Sequence, residues 1–339
     1  MESDRMRIPV LQVATPSFWL SSLGRVQDYL TRHVNEGVLH ELGSSSLGSP
    51  IRAVEYPREG CPKLMVVGGC HGHEPGTVAS SMNLIHLMET GTDLDGREHP
   101  ALMKGLERVH LYVVPCLNPD GRAVCPDSFY AQTGATCTLY ASGVQKNGDP
   151  IPYDSGADEP LYYFDPKEAA FVGGQFTGGG YAANRRLSLE KSDAVEVQRL
   201  LDFVQGLDIE AVFDLHACGF NFAFQVGDFD PVYWPVLREW QRRAEKVFGE
   251  KGRQLSQLNG DGDPPKKSPY HNNSHLFYER GKLLWIFYEG RQGYLGRRSL
   301  MPFPTEWEII DDYLTAVGVF LELGVEGQYA AANGKAFGG

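Results

Sequence analysis

Short apolar runs alternate with amphipathic stretches along most of the chain. The runs Leu64–Gly69, Val109–Cys116, Glu210–Asp214 and Leu283–Tyr288 are brief and carry β-branched or aromatic residues. That length and composition favour buried strands over buried helices. Helical spacing covers Phe18–Val34, Pro75–Met88, Ser192–Gln205 and Tyr233–Phe248. A last helix opens at Thr305, where Glu308 completes a capping box and each side chain satisfies a backbone amide of the first turn. This alternation predicts an α/β fold with helices packed on a largely parallel sheet.

Two segments lack either period. Gly173–Gly180 holds five glycines and reads as an ordered loop, since glycine permits backbone angles that other residues avoid. Asn259–Pro269 mixes Gly, Asp, Pro and Lys and reads as a surface loop. Periodic apolar segments resume soon after each, and no internal repeat is present, so one domain over residues 1–339 is expected.

Composition changes the picture mainly by exclusion. With 339 residues, 42% hydrophobic and 22% charged, the chain has an ordinary globular make-up. A net charge of −12 leaves no basic footprint for nucleic acid or anionic lipid, and no apolar run is long enough to span a bilayer. Neither is expected as a partner. Met1–Pro9 is charged and lacks the apolar core of a secretory leader. The six cysteines (Cys61, Cys70, Cys116, Cys125, Cys137, Cys218) form no C-x-x-C pair. Reduced thiols in a cytoplasmic protein are therefore expected, with a Cys125–Cys137 bridge as the alternative for a secreted chain whose leader had been removed.

Candidate chemistry sits where strands end, the place at which an open parallel sheet collects its functional groups. The first run leads directly into Cys70-His71-Gly72-His73-Glu74-Pro75, so His71 and Glu74 fall at a strand-to-helix turn. Imidazole and carboxylate three residues apart can share a zinc ion, and Pro75 suits the first helical position. Val212-Phe213-Asp214-Leu215-His216 and Trp285-Ile286-Phe287-Tyr288-Glu289 bring a histidine and a second carboxylate to two further strand ends. Arg291 lies close enough in sequence to pair with Glu289. His71-x-His73 could also begin the metal site of a barrel-type amidohydrolase, but that reading leaves the remaining motifs without a role. His73 is expected beside the ligand set or exposed.

From about Leu42 to Glu306 the chain resembles the metallocarboxypeptidase family of carboxypeptidase A. Leu42-Gly43-Ser44 through Gly48-Ser49-Pro50-Ile51 looks like the lead-in to its first strand, and His71 to Glu74 matches its His-x-x-Glu zinc motif. Leu117-Asn118-Pro119-Asp120-Gly121 matches a further signature, as do Asn184-Arg185, Asp214-Leu215-His216, Phe287-Tyr288-Glu289-Gly290-Arg291 and Pro302 to Glu306. The resemblance implies a three-layer α/β/α architecture around a central mixed, largely parallel twisted sheet. It also implies one zinc ion on His71, Glu74 and His216, which lowers the pKa of water and polarises a scissile carbonyl, with Glu289 as general base. Asn184 and Arg185 would hold a substrate carboxylate, and Tyr270, ahead of Tyr278, would stand for the family's mobile tyrosine. The implied substrate is a peptide or acyl amino acid with a free carboxylate.

The chain departs from the family pattern in two places. An acid that usually orients a zinc-bound imidazole is replaced by Ala182, and the usual oxyanion arginine has Arg122 as its only candidate on that segment. Val124–Tyr181 has no family counterpart and is expected to be an insertion shaping the pocket, within a family-like core of about residues 42–325. Besides a carboxypeptidase, the motifs admit an N-acyl amino acid amidohydrolase of the desuccinylase and aspartoacylase type. A catalytically silent binding protein on the same fold is the third possibility.

Overall fold

The computed structural model describes residues 13–131, 135–152, 161–186, 190–217, 222–224, 233–255, 271–281, 283–291 and 304–334. Its strands are β1 Val38–Ser44, β2 Pro50–Tyr56, β3 Lys63–Val67, β4 His110–Val114, β5 Gly143–Gln145, β6 Ala169–Val172, β7 Arg185–Arg186, β8 Ala211–Ala217, β9 Phe222–Phe224, β10 His271–Asn272 and β11 Leu284–Gly290. Seven of them form one sheet in the order β1-β2-β4-β3-β8-β11-β9. The four central strands run parallel, while β1, β2 and β9 are antiparallel to their neighbours. The sheet is therefore mixed and largely parallel, as expected.

Alternation along the central strands builds the layers, because successive side chains of a strand face opposite sides. Leu64, Val66, Phe213, Leu215, Ile286 and Tyr288 join one core, packed with Met82, Trp240 and Phe320 from the helices Pro75–Thr90, Trp234–Glu250 and Glu306–Val325. Met65, Val67, Val212, Trp285 and Phe287 join the other, against Leu200 and Phe277 from Val195–Val204 and Asn273–Gly281. Burial on both faces explains why these strands read as continuous apolar runs.

The capping box forms as predicted. Thr305 Oγ1 accepts from the Glu308 amide at 3.2 Å, and the Glu308 carboxylate accepts from the Thr305 amide at 2.7 Å. Strand ends differ from expectation in both directions: β3 stops at Val67 and β4 at Val114, two residues early, while two strands run on. β8 continues through His216 and β11 through Glu289, so both residues lie within strands rather than beyond them. The extension follows from pairing on both sides of β11, with Glu289 opposite His216 in β8 and Phe222 in β9. The expected loop over Asn259–Pro269 lies outside the described residues.

Candidate metal centre

Two segments carry the candidate metal donors. The turn after β3 supplies His71 and Glu74, the latter as N-cap of helix Pro75–Thr90, where the helix dipole favours negative charge. β8 supplies His216. That turn is very tightly packed: a Cβ on Gly72 would come within 2.0 Å of the Gly121 carbonyl carbon, so only glycine fits. The Gly72 amide also donates to the Gly174 carbonyl at 2.7 Å, tying the turn to the glycine-rich loop. The Asn-Pro-Asp-Gly signature gains a physical reason here. Asn118 caps the one-turn helix Pro119–Ala123 by accepting from the Gly121 amide at 3.0 Å. Asp120 accepts from the Ser45 hydroxyl at 2.6 Å and the Leu47 amide at 2.8 Å, and thereby fixes the lead-in to β2.

His71 Nδ1 lies 2.9 Å from Glu74 Oε1 and 3.2 Å from His216 Nδ1, and His216 Nδ1 lies 3.6 Å from Glu74 Oε2. Zinc bonds of about 2.0–2.2 Å give a tetrahedral site edges of about 3.3–3.6 Å, so the three donors fit the ion closely. Two further observations support the fit. Two imidazole nitrogens facing each other at this distance hold at most one proton between them. Glu74 Oε2 is buried without a hydrogen-bond partner, which is costly for a carboxylate unless a cation is nearby.

Electrostatics set the members of the group apart. Burial pushes the Glu74 carboxyl up to about 7, against the pull of His216 and His73. Burial opposes charge on His216, but Asp214, followed by Glu74 and Glu289, outweighs it and raises the imidazole to about 10. His71 is held well below its ordinary value, first by burial and then by the charge of His216.

The other expected site residues fall as follows. Glu289 pairs in register with His216 and acts on it electrostatically. Asn184 and the charge of Arg185 both act on the His71 ring. Arg291 bonds Asp312 through Nε at 2.6 Å, an ion pair directed at the last long helix. His73 is buried rather than exposed, stacked 5.7 Å from His71, and its imidazole is lowered to about 4 by burial. Tyr270 lies outside the described residues, while Tyr278 packs edge-on against Tyr233 at 5.8 Å. Cys125 is a free thiol, so the alternative bridge to Cys137 does not form.

Arg122 does not stand where an oxyanion donor would. It is 1% exposed, and its terminal nitrogens bond the carbonyls of Gly72, Cys125 and Pro126. That arrangement makes it a brace beneath the ligand turn, with its donors turned to the backbone rather than to a substrate oxyanion. Arg122→Met strips donors from three buried carbonyls, each costing about 1–3 kcal/mol when left unmade. Urea unfolding should therefore show a loss of about 3 kcal/mol or more; an unchanged midpoint would remove the bracing role.

Two further site residues have no place among the sequence expectations. Asp214 Oδ2 lies 3.0 Å from His216 Nε2, on the side of the ring away from His71. A signal for it exists, because residues two apart on a strand share a face. Gln175 Nε2 lies 2.8 Å from His71 Nε2. It arrives from Gly173–Gly180, the ordered glycine-rich loop, across a sequence distance no local pattern reports.

A buried two-histidine, one-carboxylate set beside a strand-borne glutamate is a donor set of the kind that catalytic zinc sites use. The chain belongs to the zinc carboxypeptidase family, whose model matches residues 27–252. No curated protein matches the sequence. Among solved structures, thrombin activatable fibrinolysis inhibitor is similar with a TM-score of 0.60 at 13% identity, over 93% of this chain and 81% of that one. A metallo-carboxypeptidase from Burkholderia cenocepacia gives 0.57 at 14% identity, over 89% and 68%. One from Pseudomonas aeruginosa, in complex with (2-guanidinoethylmercapto)succinic acid, gives 0.55 at 14%, over 88% and 67%. At these identities the likeness is one of fold. Among the described residues no helix is long and apolar enough to cross a membrane.

Proposed function

We propose that this chain is a metallocarboxypeptidase, hydrolysing a peptide or peptide-like amide bond next to a free carboxylate with one zinc ion on His71, Glu74 and His216. The observation that carries this reading is the convergence of those three donors beside Glu289, which neighbours His216 across β8 and β11. Zinc held by His71, Glu74 and His216 would supply a Lewis acid that acidifies water and polarises the scissile carbonyl. Glu289 then takes a proton from the attacking water and delivers it to the leaving amine. Arg185 pairs its planar guanidinium with the substrate carboxylate, and Asn184 adds a hydrogen bond from the neighbouring position. Thiols at Cys61, Cys116 and Cys125, among the described residues, fit a reducing setting.

Release of the C-terminal residue from a panel of blocked dipeptides tests the activity, with N-acyl amino acids as the contrasting panel. Turnover of the first panel is expected; turnover confined to the second would replace this reading with an acyl-amino-acid amidohydrolase, and none on either would favour a silent binding protein. Arg185→Lys should raise KM about tenfold or more with a smaller change in kcat, because ammonium cannot form the bidentate pair.

A further inference from the structure

An imidazole that binds a metal through one nitrogen presents the other as a donor, and the acceptor of that bond sets the tautomer and the ring's direction. His71 turns Nδ1 toward Glu74 and His216, and Nε2 toward the Gln175 amide at 2.8 Å. Rotating that amide by a half turn exchanges its nitrogen for its oxygen, so Gln175 can accept from an Nε2–H in the same place. The loop holds Gln175 firmly. It is 6% exposed; its backbone N–H donates to the Ala141 carbonyl at 2.9 Å, and its backbone carbonyl accepts from the Ala183 N–H at 3.1 Å.

Ala182 does not orient the ring, since it is wholly buried in a small apolar cluster with Ile151 and Phe176. A carboxylate in that cluster would be desolvated. Negative charge instead stands behind the other histidine. Asp214 is fully buried, lies 3.0 Å from His216 Nε2, and accepts from the Trp285 indole at 3.0 Å, which fixes its orientation.

We propose that Gln175 and Asp214 divide the orientation of the two zinc-binding imidazoles. The Gln175 amide is the neutral acceptor that keeps His71 Nδ1 facing the metal, and the Asp214 carboxylate does the same for His216. This rests on the reading of His71, Glu74 and His216 as a zinc site. Both are positioning residues, acting through the ligands rather than on substrate. A neutral acceptor leaves His71 a weaker donor than a carboxylate would, so the charge of the site is weighted toward His216.

The test uses the full chain, stripped of metal and titrated with zinc against a chromophoric chelator, with the visible spectrum of the cobalt(II) form as a second readout. Gln175→Ala should weaken zinc binding about tenfold to a hundredfold and alter the cobalt bands. Gln175→Glu should bind zinc at least as tightly as the parent, and Asp214→Asn more weakly. Parent-like affinity and cobalt spectrum in Gln175→Ala would overturn the inference while leaving the zinc site standing. No zinc uptake by the parent would instead remove the metal reading itself. If Gln175→Ala does not fold, Gln175→Glu decides: tenfold weaker binding there overturns the proposal.

Discussion

Glu289→Gln should lower kcat on a C-terminal peptide substrate by about 10²–10⁴-fold, the range spanned by losing a positioned general base. The amide keeps the shape of the side chain and its place opposite His216, but it cannot take a proton near neutral pH. Zinc content should stay at the parental level, because Glu289 stands outside the donor group of His71, Glu74 and His216. Steady-state kinetics paired with metal analysis checks both halves. KM should change little, as Asn184 and Arg185, proposed to bind the substrate carboxylate, lie on another segment. Hydrolysis at the parental rate would end the case for Glu289 as base.

His216→Ala should act on the metal itself. The substitution removes the donor 3.2 Å from His71 Nδ1 and 3.6 Å from Glu74 Oε2, leaving two protein ligands where zinc needs three and an open position. Zinc affinity should fall by more than about a hundredfold, beyond the cost of losing a residue that only orients a ligand. The variant should emerge from dialysis nearly metal-free, with hydrolysis at background. Chelator treatment of the parent should reproduce the loss of activity, and added zinc should restore it there but not in the variant. Full zinc occupancy in His216→Ala would show that the donors have been assigned wrongly.

Much of this site is legible in the amino-acid sequence alone, for physical reasons that also mark where legibility stops. His71, Glu74 and His216 can be read because each stands beside a strongly apolar strand, and because parallel strands deliver their ends to one rim of the sheet. The central strands declare themselves through burial on both faces. β1 and β2 do not: β1 is largely exposed at the sheet edge, and β2 begins at Pro50 and mixes Arg52 and Glu55 among apolar residues. The helix Pro119–Ala123 has only five residues, too few to show a period.

Arg122 marks a different limit. Its sequence position beside a recognisable signature fits a catalytic arginine, yet burial against backbone carbonyls depends on the fold of Cys125 and Pro126, which no spacing encodes. Gln175 is hidden for the same reason. The glycine-rich loop places its side chain against His71 from about a hundred residues away in sequence.

The phenol of Tyr313 donates to the carbonyl of His216 at 2.7 Å, so the last long helix bonds the backbone of a metal ligand. During synthesis His71 and Glu74 leave the ribosome far ahead of that helix, and at about 5–20 residues per second the gap lasts on the order of ten seconds or more. Throughout that interval two zinc donors exist without the strand pair and helix that complete their geometry. A truncated product lacking Tyr313 would carry His71, Glu74 and His216 without the helix that holds the His216 carbonyl.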